Sequence, residues 1–191
     1  MPLAGRSILE HLEVLLAEDG VSLVLITADG LRTAQRLMAD CCSGALSAEK
    51  DPQAKKLPLP DGQAVQLDSA RFQAPEILFD PGLAGSETPA LHQLVYGAVT
   101  RCDVDRRRDM YANIVLSGGA SQFPGLAERL RSNLCDLVPS GIEVTVHAAP
   151  DRSHQPWAGG SSLTNGHLKN MWVTRADYQK EGPEVVHRHC F

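Results

Sequence analysis

The stretch Tyr111-Ala112-Asn113-Ile114-Val115-Leu116-Ser117-Gly118-Gly119-Ala120-Ser121-Gln122-Phe123-Pro124-Gly125-Leu126-Ala127 carries the reading of this chain. Asn113 to Leu116 read as a strand, and Ser117-Gly118-Gly119 as a tight turn closing it. Pro124 suits the first turn of a helix, which the pattern extends to about Asp136. Strand, turn and helix in that order predict an α/β lobe. Outward on the C-terminal side, Ile142-Glu143-Val144-Thr145-Val146 alternates as a second strand. Short helices are predicted near Trp157 and Thr174, the latter ended by Gly182-Pro183.

On the N-terminal side, Asp103-Val104-Asp105 starts a short helix carrying Arg106, Arg107 and Arg108. Before it, a helix from about Ala90 to Arg101 is expected to put Leu91, Leu94, Val95 and Ala98 on one face. Pro81 to Pro89, rich in Gly, Pro and Ser, reads as an irregular loop. Leu57 to Leu67 reads as a hairpin turning at Asp61-Gly62, with the strand holding Pro58 and Pro60 at an edge. Ser47 to Lys56 is polar and reads as a surface loop. Leu31, Ala34, Met38 and Cys41 trace an amphipathic helix, preceded by a break at Thr27 to Gly30 and a strand at Val21 to Ile26. Ser7-Ile8-Leu9-Glu10 has the spacing of a capping box, Ile8, Leu12, Leu15 and Leu16 follow at helical intervals, and Gly20 sits where a C-terminal cap belongs. No internal repeat is present.

Composition limits the class. The 191 residues are 43% hydrophobic and 21% charged, which fits a folded chain and not a disordered one. The formal charge of −5 comes without a basic stripe or interleaved aromatics, which argues against a nucleic-acid reader and a polybasic membrane patch. No apolar run reaches the roughly 18 residues of a membrane span, and Met1 to Arg6 lack the pattern of a secretory signal. Five cysteines (Cys41, Cys42, Cys102, Cys135, Cys190) without framework spacing read as reduced thiols of the cytosol or nucleus.

The opening blocks resemble the actin family. So do Gly182-Pro183-Glu184-Val185-Val186-His187-Arg188-His189-Cys190-Phe191, Leu3-Ala4-Gly5-Arg6, Leu59-Pro60-Asp61-Gly62-Gln63, Arg71-Phe72, Pro75-Glu76, Cys102-Asp103-Val104-Asp105, Trp157-Ala158-Gly159-Gly160-Ser161 and Met171-Trp172, in the family's order. The likeness runs from Leu3 to Phe191. It implies part of the actin/Hsp70/sugar-kinase ATPase fold, matching the C-terminal half of an actin. Residues 1–71 would be the small inner lobe, 72–153 part of the large inner lobe, and 154–191 the C-terminal segment of the outer lobe. In that alignment both phosphate-binding hairpins and the DNase-binding loop lie upstream of where this chain begins. The segment Ser43 to Lys56 diverges, which suggests a specialised actin-like protein.

The resemblance assigns Gly118, Gly119 and Phe123 to the adenosine-contacting segment, as vestigial nucleotide-binding positions. Glycine lets a flat base or ribose approach the backbone, although two glycines also suit any tight strand-to-helix turn. Three departures weaken the site. Phe123 stands where an actin has an aromatic hydroxyl, Ser153 where it has a lysine, and Gln35-Arg36 where a Lys-Glu pair reaches adenine and ribose. A micromolar ligand needs about 8 kcal/mol, and each hydrogen bond to a charged phosphate supplies roughly 1.5–3 kcal/mol. Losing several such bonds takes affinity to millimolar or worse, so no ATP hydrolysis and no cofactor are expected.

Other candidates weigh less. His187-Arg188-His189-Cys190 has zinc-compatible side chains, but its terminal place and i, i+2 spacing argue against a metal. Arg106 to Arg108 read most simply as a solvated helix face, with a partner surface as the lesser alternative. Interaction surfaces make the better case. The resemblance maps the family's regulator-binding groove onto Ala158, Ser162, Leu163 and Met171, where two bulky aliphatics have shrunk to Ala158 and Ser162. Pro81 to Ser86 match the family's apolar plug loop, with Leu83 its one bulky residue. The expectation is a non-enzymatic actin-like protein of the cytoplasm and cytoskeleton. It would act through protein partners, such as actin-binding proteins or a chaperone, with no nucleic acid and no membrane span. The alternatives are a nucleotide-binding relative, with ATP held jointly with a longer isoform or partner, and a folding-compromised product without activity.

Overall fold

The computed structural model describes residues 4–21, 55–58, 64–67, 69–165 and 172–189. Their elements are, in chain order, α1 (Gly5–Glu18), β1 (Lys55–Pro58), β2 (Ala64–Leu67), α2 (Ala70–Glu76), α3 (Leu91–Thr100), α4 (Val104–Ala112), β3 (Ile114–Val115), α5 (Leu126–Leu137), β4 (Val146–His147), α6 (Gln155–Asn165), α7 (Arg175–Glu181) and α8 (Val185–His189). Short 3-10 turns cover Pro81–Ala84, Gly119–Gln122 and Gly182–Glu184. The chain divides into two compact units, Met1–Ser153 and His154–Phe191. The mixture of helices and strands is the α/β architecture expected. Beyond Val21, the strand read at Val21 to Ile26 falls outside the described residues, as do the helix through Met38 and the turn at Asp61-Gly62.

In the first unit, α1 buries Ile8, Leu9, Leu12 and Leu16. It packs on α2, where Ala70 and Ala74 are buried. Burying each of those large aliphatics contributes about 1.5–3 kcal/mol. The helix start departs from the sequence reading. Ala4 is the N-cap, with no side-chain cap, and its carbonyl accepts from the Ile8 amide at 3.2 Å, so Ser7 lies inside the first turn and not at its boundary. The helix end is as expected. Gly20 takes φ +80°, its amide donates to Ala17 O at 3.1 Å, and the Val21 amide donates to Leu16 O at 2.8 Å. That pair of bonds is a Schellman motif, which only a residue at ease with positive φ can close.

β1 and β2 pair antiparallel with Leu57 opposite Val65 and Pro58 opposite Ala64, so the two strands pair as read and draw in Lys55 and Lys56, expected in the loop. The Pro81 to Pro89 loop is more ordered than expected. Asp80 Oδ1 accepts from the Gly82 amide at 3.2 Å and starts the 3-10 turn, Gly85 turns the chain at φ +64°, and Ser86 Oγ and Thr88 Oγ1 share a hydrogen bond of 2.9 Å.

The core joins α1 and α2 to Ile77, Leu78, Phe79, Val99, Tyr111, Phe123, Leu126, Leu130, Leu134, Val138 and Val144. The inner face of α3 is rotated from the expected one. Val99 is buried and Leu91, Val95 and Tyr96 pack on the core, whereas Ala98 is exposed. Tyr96 stacks on Tyr111 of α4 with ring centres 6.5 Å apart, which turns the helix toward that side. β3 and β4 pair parallel, Ile114 opposite Val146 and Val115 opposite His147. Both are shorter than expected because competing partners take the flanking groups. The Asn113 backbone amide donates back to Met110 O at 3.2 Å, and Val144 O accepts from Arg131 Nε at 3.1 Å. α5 opens at Leu126, after Gly125 at φ +79°, two residues beyond the proline expected to open it.

In the second unit, Thr174 caps α7, accepting from the Asp177 amide at 3.1 Å while Asp177 Oδ2 accepts from the Thr174 amide at 3.1 Å. Gly182 at φ +71° ends that helix as expected. No helix among the described residues is long and apolar enough to cross a membrane.

Candidate functional site

The glycine turn is built by the strand that feeds it. The Leu116 amide donates to His147 O at 2.9 Å, which holds the chain to β4 until the turn begins. Gly118 then adopts φ +93°, ψ 158°, a backbone region essentially closed to side chains with a Cβ. Its amide donates to Arg152 O at 2.8 Å. Its carbonyl accepts from the Ser121 amide at 3.1 Å and from Ser121 Oγ at 2.7 Å. Gly119 begins the 3-10 turn that follows. A Cβ on either glycine would meet nothing within 4 Å, so open space lies beside the turn.

Arg152 clamps the turn from the other side. Its Nε and Nη2 donate to Ser121 O at 2.9 and 2.6 Å, and its Nη1 donates to Ala149 O at 3.0 Å. Every guanidinium nitrogen thus serves a backbone carbonyl. Phe123, expected to face a base, is 4% exposed and lies in the core with Leu126, Leu130 and Leu134. Ser153 Oγ donates to Asp151 Oδ1 at 3.2 Å. Gly118 and Gly119 therefore stand together at an open turn while Phe123 points into the protein. Gln35 and Arg36 lie outside the described residues.

The positions mapped to a partner groove divide. Ala158, Ser162 and Leu163 share α6 and are exposed, Leu163 by 50%. Ser162 Oγ donates to Ala158 O at 3.0 Å, one turn back. Met171 lies outside the described residues. Trp157 on the same helix is 77% exposed, and Trp172 and Tyr178 are exposed as well.

A cavity of about 700 Å³ lies in the first unit between α1 and the Pro81–Ala84 turn. One wall is the α1 stripe Ser7, Glu10, His11, Val14, Leu15 and Glu18, and the other is Leu83, Ala84 and Ser86, with Gln73 of α2 between them. Val14 is 55% exposed and Leu83 51%. Burial lowers the His11 pKa, opposed by the Glu18 carboxylate. The sequence signal was a second stripe on α1, at i, i+3, i+4, i+7 and i+11 from Ser7, which the core-facing pattern masks.

Of the remaining candidates, Arg106 and Arg108 are exposed, and Arg107 Nε donates to Cys102 O at 3.0 Å. Cys102 and Cys135 are free thiols. His187 is exposed, Cys190 lies outside the described residues, and no group of three metal-ligating side chains converges among those described. A family model described as Actin matches residues 29–191, a span that takes in both hairpin strands, the glycine turn and the second unit, and leaves out α1.

Proposed function

The chain belongs to the actin family, and on that premise we propose that it is a non-enzymatic member that works at the cytoskeleton through protein–protein contacts. One observation carries the reading. At the turn where the family resemblance places adenosine, the Gly118 amide and all three Arg152 nitrogens are already engaged by backbone carbonyls, and Phe123 is inside the core. A nucleotide could use those donors only by breaking bonds that each contribute about 0.5–3 kcal/mol. The donors serve to shape the turn. The exposed aromatics Trp157, Trp172 and Tyr178, and the pair Val14 and Leu83, supply the apolar surface that contacts require.

The test is calorimetry of the purified 191-residue chain with Mg-ATP. No saturable heat is expected up to millimolar nucleotide. A dissociation constant near ten micromolar or below, about 7 kcal/mol of binding, would sink the reading. The open space beside Gly118 and Gly119 favours a second reading, in which a longer form or partner completes a nucleotide site over the same turn. Binding that emerges only with such a partner present would favour it.

A further inference from the structure

The groove between α1 and the Leu83 turn has the shape and charge of a docking site. The α1 wall from Ser7 to Glu18 is twelve residues long, about 17 Å of helix, which is an elongated trough and not a compact ligand pocket. Its middle is apolar: Val14 and Leu15 stand opposite Leu83 and Ala84, with Val14 and Leu83 each more than half exposed. Its ends are acidic. Glu10 and Glu18, eight residues or about 12 Å apart, bracket Val14, and no Lys or Arg is among the described lining residues. Arg6 pairs with Glu10 at 3.0 Å on the exposed side of α1, and His11 lies beside Glu18 with its pKa lowered by burial. Among the described residues that line the groove, the Leu83 turn and α2 contribute Leu83, Ala84, Ser86 and Gln73, which are uncharged.

We propose that this groove receives an amphipathic helix from a partner protein, whose bulky apolar anchor sits between Val14 and Leu83 and whose Lys or Arg residues, two turns apart, meet Glu10 and Glu18. The assignment rests on the protein-contact reading above and gives that reading one surface and one partner chemistry. Helix-in-groove recognition fits the trough: cations at i and i+7 of a helix stand about 10.5 Å apart, close to the roughly 12 Å between Glu10 and Glu18, with apolar anchors at i+3 and i+4 between them. The basic flanks would steer encounter and set the orientation, and the anchors would hold the complex.

The probe is a fluorescein-labelled 16-residue helical peptide with Lys at i and i+7 and Leu at i+3 and i+4, read by anisotropy against the full chain. Its charge-reversed twin carries Glu at the two Lys positions. Saturable binding of the Lys peptide is expected, with the Glu peptide about tenfold weaker, a difference that shrinks as salt rises. Glu18→Lys should weaken the Lys peptide and strengthen the Glu peptide, and Leu83→Ser should weaken both. Both positions are exposed, so unchanged circular-dichroism melts are expected of the variants and guard against misfolding. Binding indifferent to Glu18→Lys and Leu83→Ser overturns the groove while leaving the protein-contact reading intact at another surface. No saturation up to about 100 µM peptide overturns it too, being weaker than roughly 5.5 kcal/mol. Sedimentation showing self-association that Leu83→Ser abolishes would put a second copy of the chain in the groove and overturn the partner assignment. ATP affinity in the calorimetry above would remove the non-enzymatic reading and leave the groove result standing.

Discussion

Gly118 and Gly119 are the same letter twice, yet they do different work. Gly118 sits at φ +93°, where Ala would cost about 1–3 kcal/mol. Gly119 has no such backbone demand and open space around its Cα, so Gly119→Ala should fall within about 0.5 kcal/mol of the parent. Urea denaturation of the two single variants separates them, and equal midpoints would refute the assignment. His92 makes a second prediction. Its ring stacks on Phe79 with centres 6.2 Å apart, and Arg129 covers the same Phe79 at 4.9 Å. Burial first, and the Arg129 charge second, hold its pKa below the ordinary 6.5. The unfolded chain therefore binds that proton more readily, and stability present above pH 6.5 declines as pH falls through it. His11 acts in the same direction. Comparing urea midpoints at pH 7.5 and 5.5, the acid loss should shrink but not vanish in His92→Gln, and an undiminished loss would count against this account. The contrast between the glycines was half legible: Gly-Gly announces a turn, but not which residue takes the forbidden angle. Resemblance assigns Phe123 to the adenosine segment, and in the fold its ring lies in the core for a physical reason. Its neighbours Leu126 and Leu130 begin a buried helix face, and that pull decides where its ring goes.

At the scale of elements, α2 and α5 are joined by a forked ion pair across 53 residues, Arg129 Nη2 to Glu76 Oε1 at 2.6 Å and Nη1 to Oε2 at 3.4 Å. Both side chains are largely shielded, so deleting one strands the other. Arg129→Ala is expected to cost about 1–3 kcal/mol by equilibrium unfolding. Arg129→Lys should recover only part, because an ammonium cannot match the fork. Ala and Lys variants equally stable as the parent would show the pair to be incidental. Element existence was well legible, since the apolar spacing of α1 and α5 and the turn chemistry at Gly20 and Gly182 are local. Boundaries were less so. Ser7 and Glu10 spell a capping box, but the Ala4 carbonyl had already started the helix. The second strand was read through Val144, whose carbonyl is claimed by Arg131 from a helix no local pattern could bring to it. Tyr111, likewise, rotates the face of α3 from outside that helix.

For the whole molecule, the sequence marks the family but hides its surfaces. The groove walls at Glu18 and Leu83 are 65 positions apart, and only the packing of α1 on α2 brings them together. Leu83 also bears on self-assembly. As the one bulky residue between Pro81 and Ser86, it can bury about 1.5–3 kcal/mol against an association cost of several. The chain alone is thus expected to remain in the supernatant on sedimentation in polymerising salt, and ordered helical filaments by electron microscopy would contradict that. Arg152 carries one more consequence. Its partners are peptide carbonyls, whereas Arg129 holds a carboxylate. Dissolved ions screen a pair of opposite charges over about 8 Å at physiological strength and compete poorly for a cation seated on carbonyl dipoles. The shielding of Arg129 and Glu76 blunts that screening, yet of the two sites theirs is the one brine can weaken, so the two arginines set a halotolerance that differs from one side of the same lobe to the other.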